Sequence, residues 1–324
     1  TTCNYYFFHW LNYFFTLVKS ISIVEYTYHM SISRQNLSAV IVTFKSDHVI
    51  HDCIQSISDQ IKIIVVENSN DKKFKENIEK RYKNVECILS PSNVGMGSGN
   101  NLGLKYVKTD YAIILNPDVI LKKDTIEEII NCSNQIQSFA ILAPLSIDPK
   151  YPNYKIKKKT NDNYSLPFKV ESVDGFAMVL NLKRINKIEN FKNNNYFDEN
   201  FFMYLENDDF CMRLIEKKEN IFIVPKAKIK HLGAKAVDQK YFHEIELSRN
   251  WHWMWSKFYF NKKHNGFFVA LLRALPNFFS AVLKFMFYFF MNKKTKKEIY
   301  LHRILGFNNA LLGKKSFYRA RIDF

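Results

Sequence analysis

The chain has 324 residues, 47% of them hydrophobic, so it can bury a sizeable core as one domain or two, and its composition excludes a disordered protein. The formal net charge is +16, and residues 256–324 hold 14 Lys and Arg against 2 Asp and Glu. Such a basic segment predicts an anionic partner, either nucleic acid or a membrane surface. The five cysteines are scattered without a C-x-x-C pair, which disfavours a zinc site and favours a reducing compartment.

Residues 1–35 are predicted to be an N-terminal extension. The stretch is rich in Tyr and Phe, carries little charge and does not begin with Met, so Met30 is the expected start of translation. The alternative is a membrane anchor at Tyr5–Val24, although Asn12 and Lys19 disfavour a spanning helix there.

Apolar strands then alternate with helical patterns. Strands are predicted at Leu37–Phe44, Ile61–Val66, Val85–Leu89 and Tyr111–Leu115, and helices at His48–Ser58, Lys72–Tyr82 and Asn100–Val107. This alternation predicts a mostly parallel, doubly wound α/β sheet whose polar strand ends share one edge.

The ends of the first two strands carry groups that suit a nucleotide. Thr43 and Phe44 follow the first strand and Glu67 follows the second, so a hydroxyl, an aromatic face and a carboxylate would lie side by side. This set fits the imide N–H of a uracil or thymine. The alternative is ordinary polarity at strand ends.

A glycine-rich segment, Asn93–Gly103, contains four of the nine glycines of the chain. Gly95, Gly97 and Gly99 permit positive φ and close backbone approach, and Asn100 is predicted to begin a helix whose free N–H groups favour anions. The segment contains no G-x-G-x-x-G and follows the third strand, which disfavours a dinucleotide site, and no P-loop motif is present.

The fourth strand ends in Asn116, Pro117 and Asp118. Open α/β sheets bind ligands at the carboxyl ends of their strands, so Asp118 is well placed to hold a divalent cation against a diphosphate. The alternative is a simple turn, because Asn, Pro and Asp all favour turns.

Six segments in order resemble the family 2 glycosyltransferases, notably their rhamnosyltransferase-like branch: Ile64–Ser69, Asn93–Gly103, Leu115–Val119, Val173–Leu180, Phe197–Arg213 and His231–Gly233. The resemblance extends over about residues 37–263. It implies a GT-A fold, Rossmann-like with a sheet flanked by helices, that transfers a sugar with inversion from a nucleoside diphosphate donor with the help of Mg²⁺ or Mn²⁺.

The resemblance also implies roles for single residues. Asn116 and Asp118 occupy the place of the family's metal-binding D-x-D, with Asp118 as the ligand, and His231 matches a second metal or diphosphate contact. The expected donor-binding residues are Thr43, Phe44, Glu67, Asn93, Gly95, Gly99, Asn100 and Asn116. Relatives usually carry Asp in place of Glu67. The longer side chain of Glu67 would still reach the nucleobase of the donor.

Inversion requires a base on the acceptor side. Relatives carry this base at the position of Asn207, so the candidates here are Glu206 and then Asp208, with Asp209 accepting from the N-terminal N–H groups of the following helix. The alternative is a plain acidic N-cap. Asp174 and Gly175 are expected, with Asp209, on the acceptor side, after a mobile surface loop at Lys150–Lys169.

The segment Gly266–Asn292 is apolar, with polar residues on one narrow stripe at Arg273, Asn277, Ser280 and Lys284. It predicts a helix in the plane of a membrane interface, followed by Lys293–Lys297, which would bind anionic lipid headgroups. The alternatives are a core helix or an oligomer contact. Nucleic acid is disfavoured because no RNA-binding module matches.

The sequence thus predicts three segments: the extension 1–35, a GT-A domain at 36–255 and a basic, aromatic helical tail at 256–324. The expected function is an inverting transferase, cytoplasmic and peripheral to the inner face of the cell membrane, that moves a sugar from dTDP-rhamnose or a UDP-sugar to a hydroxyl of a cell-envelope or lipid-linked glycan. A pyrophosphorylase is disfavoured because no basic, Gly-rich loop follows the first strand. A non-catalytic membrane scaffold that binds nucleotide or glycan is supported only by Asn207 and Glu67.

Overall fold

The computed structural model describes residues 31–136, 138–148, 152–156, 165–233 and 235–322. The expected start at Met30 and the anchor at Tyr5–Val24 lie outside the described residues, as does half of the loop Lys150–Lys169. Residues 32–324 form one compact unit. The expected boundary between residues 255 and 256 falls inside a continuous helix, Phe242–Asn265.

The described residues form eleven strands: β1 Leu37–Thr43, β2 Lys62–Glu67, β3 Val85–Leu89, β4 Tyr111–Leu115, β5 Val119–Leu121, β6 Ile141–Ser146, β7 Tyr154–Lys155, β8 Phe168–Lys169, β9 Ser172–Val173, β10 Ala177–Asn181 and β11 Ile221–His231. The main sheet has the order β3-β2-β1-β4-β10-β6-β11-β5, with β8 paired to β11, while β7 and β9 form a separate antiparallel pair.

The helices that the structure describes are α1 Asp47–Gln55, α2 Lys72–Arg81, α3 Met96–Leu104, α4 Thr125–Gln135, α5 Leu182–Ile185, α6 Glu206–Glu216, α7 Phe242–Asn265, α8 Phe267–Phe290 and α9 Lys294–Leu311. Short 3₁₀ turns at Arg34–Asn36, Glu189–Asn194 and Gln239–Tyr241 complete the regular structure.

The four predicted strands form β1 to β4, and the neighbours β3-β2-β1-β4 run parallel. All seven residues of β1 are buried, since Ala39 and Ile41 pack into one core cluster while Val40 packs into a second cluster on the opposite face. Burial on both faces explains the continuous apolar runs of these strands. Beyond β4 the sheet becomes mixed, because β10 runs antiparallel to both β4 and β6.

Strand register brings the polar strand ends together. Thr43 at the end of β1 pairs with Glu67 at the end of β2, and Ile41 pairs with Leu115 at the end of β4. At the far side of the sheet β11 runs antiparallel to β5 and places His231 opposite Val119. This pairing brings His231 next to Asp118 although 113 residues separate them in the chain.

Helix α3 begins at Met96, four residues before the predicted start at Asn100. Of the three glycines that would permit positive φ, only Gly95 adopts it. Gly97 and Gly99 are helical, and a Cβ at Gly99 would lie 2.7 Å from Val42 Cγ1. Low helix propensity is therefore outweighed here by the close packing of α3 on β1.

The last three helices enclose a core of their own, centred on Trp251, Trp255, Phe258 and Phe307. Helix α8 buries mainly Ala270, Ala274 and Ala281 against it. Its outer face exposes large apolar side chains, among them Phe268, Leu272, Phe279, Leu283 and Phe290. Among the described residues, α8 is the one helix long and apolar enough to cross a membrane, judged by length and composition only.

Candidate active site

The carboxyl ends of β1 and β4 open into a cleft of about 1160 Å³. All but three of the predicted site residues line it: Thr43, Phe44, Asn93, Gly95, Asn100, Asn116, Asp118, Asp174, Gly175, Glu206, Asp208 and His231. The fold therefore gathers into one cavity residues that the sequence distributes from position 43 to position 231.

Asp118 and His231 form the charged centre of the cleft. The Asp118 Oδ1 and His231 Nε2 atoms are 3.4 Å apart, and the carboxylate is almost completely buried. The Leu232 N–H donates to the Asp118 carbonyl at 3.0 Å, and the His231 ring stacks on Phe176 with 4.1 Å between ring centroids. The backbone bond and the ring stack fix both side chains in place.

Six side-chain polar atoms in the cleft wall are buried and have no hydrogen-bond partner among the residues that the structure describes. They are Thr43 Oγ1, Asn68 Oδ1, Asn100 Oδ1, Asn116 Oδ1, Asp118 Oδ1 and Glu206 Oε2. A buried polar atom without a partner costs about 1–3 kcal/mol, so several in one cavity indicate that a ligand provides the missing partners. Sequence reasoning missed Asn68 as a site residue, although it directly follows Glu67 in the first of the six motifs.

The residues present suit a hard divalent cation. Within the described part of the chain no group of three or more His, Cys, Asp or Glu could hold a metal. Mg²⁺ typically binds one or two carboxylates and takes its other ligands from phosphate and water, so a buried carboxylate oxygen beside a histidine fits a cation that arrives with a diphosphate. Asp118 and His231 are thus a two-residue candidate metal site.

Gly95 closes the cleft at the start of α3. Its φ is +87°, and a Cβ there would lie 2.2 Å from the carbonyl oxygen of Phe202. The same oxygen accepts from the Met96 N–H at 3.1 Å, and Asn68 Nδ2 donates to the Gly95 carbonyl at 3.2 Å. Only glycine fits this junction, because a side chain would meet both the strained φ and the backbone of Phe202.

The carboxylates at the start of α6 have different environments. Glu206 is the first residue of α6, and burial raises its pKa to about 7, with a smaller contribution from Asp208. The Asp208 carboxylate instead accepts from Lys155 Nζ at 2.6 and 2.7 Å and from Ser172 Oγ at 2.5 Å. Glu206, whose pKa lies near neutrality, therefore resembles a general base. Asp208, whose carboxylate is already paired, resembles a structural anchor.

Asn207 and Asp174 lie between these groups and the sheet. Asn207 Nδ2 donates to the Val173 carbonyl at 2.8 Å, and a Cβ at Gly175 would lie 3.3 Å from Asn207 Cβ. Burial, followed by the charge of Asp208, raises the pKa of Asp174. The expected acceptor-side residues therefore pack directly against the start of α6.

Three predicted site residues do not line the cleft: Glu67, Gly99 and Asp209. The Glu67 carboxylate accepts from the Ser69 and Asp71 N–H groups and from Ser69 Oγ, so it stabilises its own turn. Gly99 faces Val42 of β1.

Asp209 anchors α6 to α7 instead of capping its own helix. The carboxylate is completely buried and contacts Arg213 Nε at 2.8 Å, Lys263 Nζ at 2.6 Å and His264 Nε2 at 2.8 Å. Lys263 and His264 belong to the last turn of α7. The start of α6 is thus tied to α7 through one carboxylate, with Arg213 of α6 as a further partner of that carboxylate.

The far wall of the cleft comes from α7, α9 and the residues after α9, which the sequence analysis did not assign to the site. Arg249 and Trp253 of α7, Arg303 of α9 and Ala320 all line it. The signal was present as basic and aromatic residues in one segment, but their interleaving also fits membrane contact.

The end of the described chain returns to the donor side. The guanidinium carbon of Arg319 lies 3.7 Å from the centroid of the Phe202 ring, and Arg319 Nε donates to the Asn93 carbonyl at 3.1 Å. Burial lowers the pKa of Arg319 to about 10. Arg319 therefore joins the tail to the loop that precedes α3.

Comparison of the sequence with known protein families identifies the family to which the chain belongs. Residues 38–211, which contain β1 to β10 and the start of α6, match the sequence profile of glycosyl transferase family 2. The chain belongs to this family. The recognition made from the six sequence motifs is thereby confirmed, and glycosyltransferase activity is the activity that this membership supports.

Two family 2 relatives resemble this glycosyltransferase in sequence. The low-salt glycan biosynthesis hexosyltransferase Agl10 of Haloferax volcanii is 26% identical over 225 residues, which are 64% of this chain and 70% of that protein. The rhamnosyltransferase WbbL of Escherichia coli is 24% identical over 217 residues, 57% of this chain and 79% of that protein.

The fold is shared with a solved glycosyltransferase. The mannosyltransferase PcManGT from Pyrobaculum calidifontis, determined in complex with GDP-Man and Mn²⁺, superimposes with a TM-score of 0.53 at 10% identity, over 87% of this chain and 89% of that chain. The predicted GT-A fold is confirmed, and the C-terminal helical extension is present.

Proposed function

We propose that this family 2 glycosyltransferase transfers a sugar, with inversion, from a nucleoside diphosphate donor to a hydroxyl of a cell-envelope or lipid-linked glycan. The observation that carries the proposal is the set of six buried, unpartnered polar atoms around Asp118 and His231. The proposed donor is dTDP-rhamnose or a UDP-sugar, in keeping with the names of the two relatives, a rhamnosyltransferase and a hexosyltransferase.

The donor would occupy the wall formed by β1, β4 and α3. Thr43, Asn68, Asn100 and Asn116 offer it buried hydrogen-bonding groups. Asp118 and His231 would hold Mg²⁺ or Mn²⁺, which when bound neutralises the charge that develops on the leaving diphosphate. The Mn²⁺ and GDP-Man in the PcManGT structure support this assignment.

Glu206 is the proposed base. As the acceptor oxygen attacks the anomeric carbon and the bond to the diphosphate breaks, a carboxylate oxygen of Glu206 takes the hydroxyl proton. A pKa of about 7 lets a carboxylate accept a proton efficiently at neutral pH. Asp208 is the second candidate, but its bonds to Lys155 and Ser172 favour a positioning role.

The enzyme is further proposed to act at the cytoplasmic face of the cell membrane as a peripheral protein. The exposed apolar face of α8, with Phe268, Leu272 and Leu283, is followed directly by Lys293–Lys297. An apolar face next to clustered lysines favours the interface of an anionic membrane. Binding to vesicles that contain anionic phospholipid, and much weaker binding to neutral vesicles, is the expected result.

Release of free nucleoside diphosphate from UDP-, dTDP- and GDP-sugars tests the function. The assay contains a membrane lipid extract as acceptor source and either Mn²⁺ or EDTA. We expect release from one donor that depends on the metal, and at least a hundredfold slower release by Glu206→Gln. Glu216→Gln, at the other end of α6, is the matched control and should behave as wild type.

Two outcomes would contradict the proposal. Donor-dependent thermal stabilisation without release, even with lipid extract, would instead favour a non-catalytic binding protein. Release at the same rate in EDTA would exclude the assigned metal site.

A further inference from the structure

The acceptor end of the cleft has a feature that the proposed function does not require. From α7, Ile245, Arg249 and Trp253 line the cleft at a spacing of four residues, so they share one helix face. Trp253 is 40% exposed, whereas Trp251 and Trp255 on the same helix are buried in the core. An indole face in a sugar-binding cleft offers a stacking surface.

Two arginines from different helices line the cavity together with this indole. Arg249 belongs to α7 and Arg303 to α9, and both line the same cavity. Arg249 has Glu246 at 4.0 Å, the outer limit of an ion pair. Arg303 Nε donates to Asn250 Oδ1 at 2.6 Å, and no carboxylate of the described residues lies within ion-pair distance of its guanidinium. Positive charge in this wall is therefore only weakly compensated.

Arg249 and Trp253 lie close to the start of α6. The Tyr204 ring contacts the Trp253 ring edge-on, with 5.5 Å between centroids, and Tyr204 directly precedes the turn into α6. The charges of Arg249, Glu246 and Glu206 all act on the Tyr204 hydroxyl, whose pKa burial raises to about 12. Tyr204 thus connects Arg249 and Trp253 to the proposed base.

We propose that Arg249 and Arg303 bind a phosphate or diphosphate group of the acceptor, while Trp253 packs against the adjoining part of that molecule. A guanidinium group can donate two parallel hydrogen bonds to two oxygens of one phosphate, and it retains its charge when partly buried. Arginine therefore suits a phosphate ligand better than lysine does. The inference rests on the proposed function, because only a transferase has an acceptor. It narrows the acceptor class to phosphorylated glycan carriers.

Calorimetric binding in EDTA, without nucleotide, tests the subsite separately from catalysis. The probes are inorganic pyrophosphate, geranyl diphosphate and geraniol. We expect both diphosphates to bind, geraniol to bind at least tenfold more weakly than geranyl diphosphate, and the double variant Arg249→Ala/Arg303→Ala to lose at least tenfold in affinity for both. Tighter binding of geranyl diphosphate than of pyrophosphate identifies a prenyl-linked phosphate, and equal binding identifies the phosphate group alone.

Two control variants keep the outcome clear. Arg273→Ala removes an arginine of α8 that lies outside the cleft and should have no effect on diphosphate binding. The charge-preserving variant Arg249→Lys/Arg303→Lys should bind both diphosphates more weakly than wild type but more tightly than the alanine double variant, which distinguishes lost charge from a disturbed fold.

Equal affinity of the alanine double variant and the wild type, or equal affinity for geraniol and geranyl diphosphate, would overturn the subsite. Failure of the proposed function has a different signature. In that case no donor is cleaved in the nucleotide-release assay, while the diphosphate binding measured in EDTA is unaffected.

Discussion

The two walls of the cleft are built in different ways. The donor wall consists of strand ends and the start of α3, and buried side-chain oxygens of Thr43, Asn100 and Asn116 have no hydrogen-bond partner among the described residues. On the acceptor wall, by contrast, the Asp208 carboxylate is already paired with Lys155. We therefore expect donor-wall substitutions to reduce activity at little cost in stability, and the loss of a paired carboxylate near the start of α6 to reduce both.

The largest effect is expected for Asp118→Asn on the donor wall. The change keeps the shape of the side chain but removes the charge that would hold a cation, so turnover should fall about a thousandfold or more. The free energy of unfolding should hardly change, because no ion pair with a permanently charged side chain is lost. Nucleotide release and chemical denaturation measure the two quantities. Asp124→Asn, an exposed carboxylate before α4, is the control, and undiminished turnover of Asp118→Asn would remove this residue from the metal site.

Asp209→Asn should produce the opposite pattern. Loss of one buried charge leaves Arg213, Lys263 and His264 without their common partner. Breaking a buried ion pair in this way destabilises proteins by about 3–5 kcal/mol. Urea denaturation should show this loss, together with reduced turnover because α6 is no longer held against α7. A stable but inactive variant would mean that Asp209 contacts substrate.

Gly306→Ala affects the C-terminal helices alone. A Cβ at this position would lie 2.1 Å from the Trp251 carbonyl oxygen, so α7 and α9 would have to move apart. Overpacking of this kind costs about 1–3 kcal/mol. Thermal denaturation should detect the loss, with Asn308→Ala on the same helix as control. Unchanged stability would show that the two helices can separate freely.

The smallest effect is expected in the pH dependence of stability through Glu206. Its folded-state pKa of about 7 lies above its ordinary value of 4.5, so its stabilising contribution is complete below pH 4.5 and is lost as pH rises through 7. Glu206→Gln should therefore gain stability relative to wild type over this range, by a few degrees in Tm. Parallel Tm curves of the two proteins would show that Glu206 is not protonated near neutrality. In the wild type the transfer rate should rise as pH passes through 7.

The donor wall could be predicted from the sequence and most of the acceptor wall could not. Strands β1, β2 and β4 are continuous apolar runs because both of their faces are buried, and Asp118 follows the last of them directly. A single strand and its end define this position, so local sequence is sufficient. The role of Glu67 was less predictable, since the direction in which a carboxylate turns depends on neighbouring backbone N–H groups.

Arg249, Trp253 and Arg303 reach the cleft only because α7 and α9 pack against each other. That packing depends on contacts between distant residues, such as Gly306 against Trp251. Composition alone described the segment as basic and aromatic, a description that fits a membrane-binding surface and a ligand-binding wall equally well. Similarly, the early start of α3 could not be read from its glycines, because Val42 and Phe197 decide it through packing.

The contact between Arg319 and Asn93 links residues 226 positions apart. During synthesis on a ribosome, every strand of the sheet is present once His231 has emerged, yet the ring of Phe202 is still uncovered and the loop before α3 lacks its partner. A growing chain would therefore hold a finished sheet and an unfinished cleft until residue 319 had been added. Donor capture would then begin only after residue 319 had been added, and a protease that cut the segment after α9 would return the enzyme to that immature state.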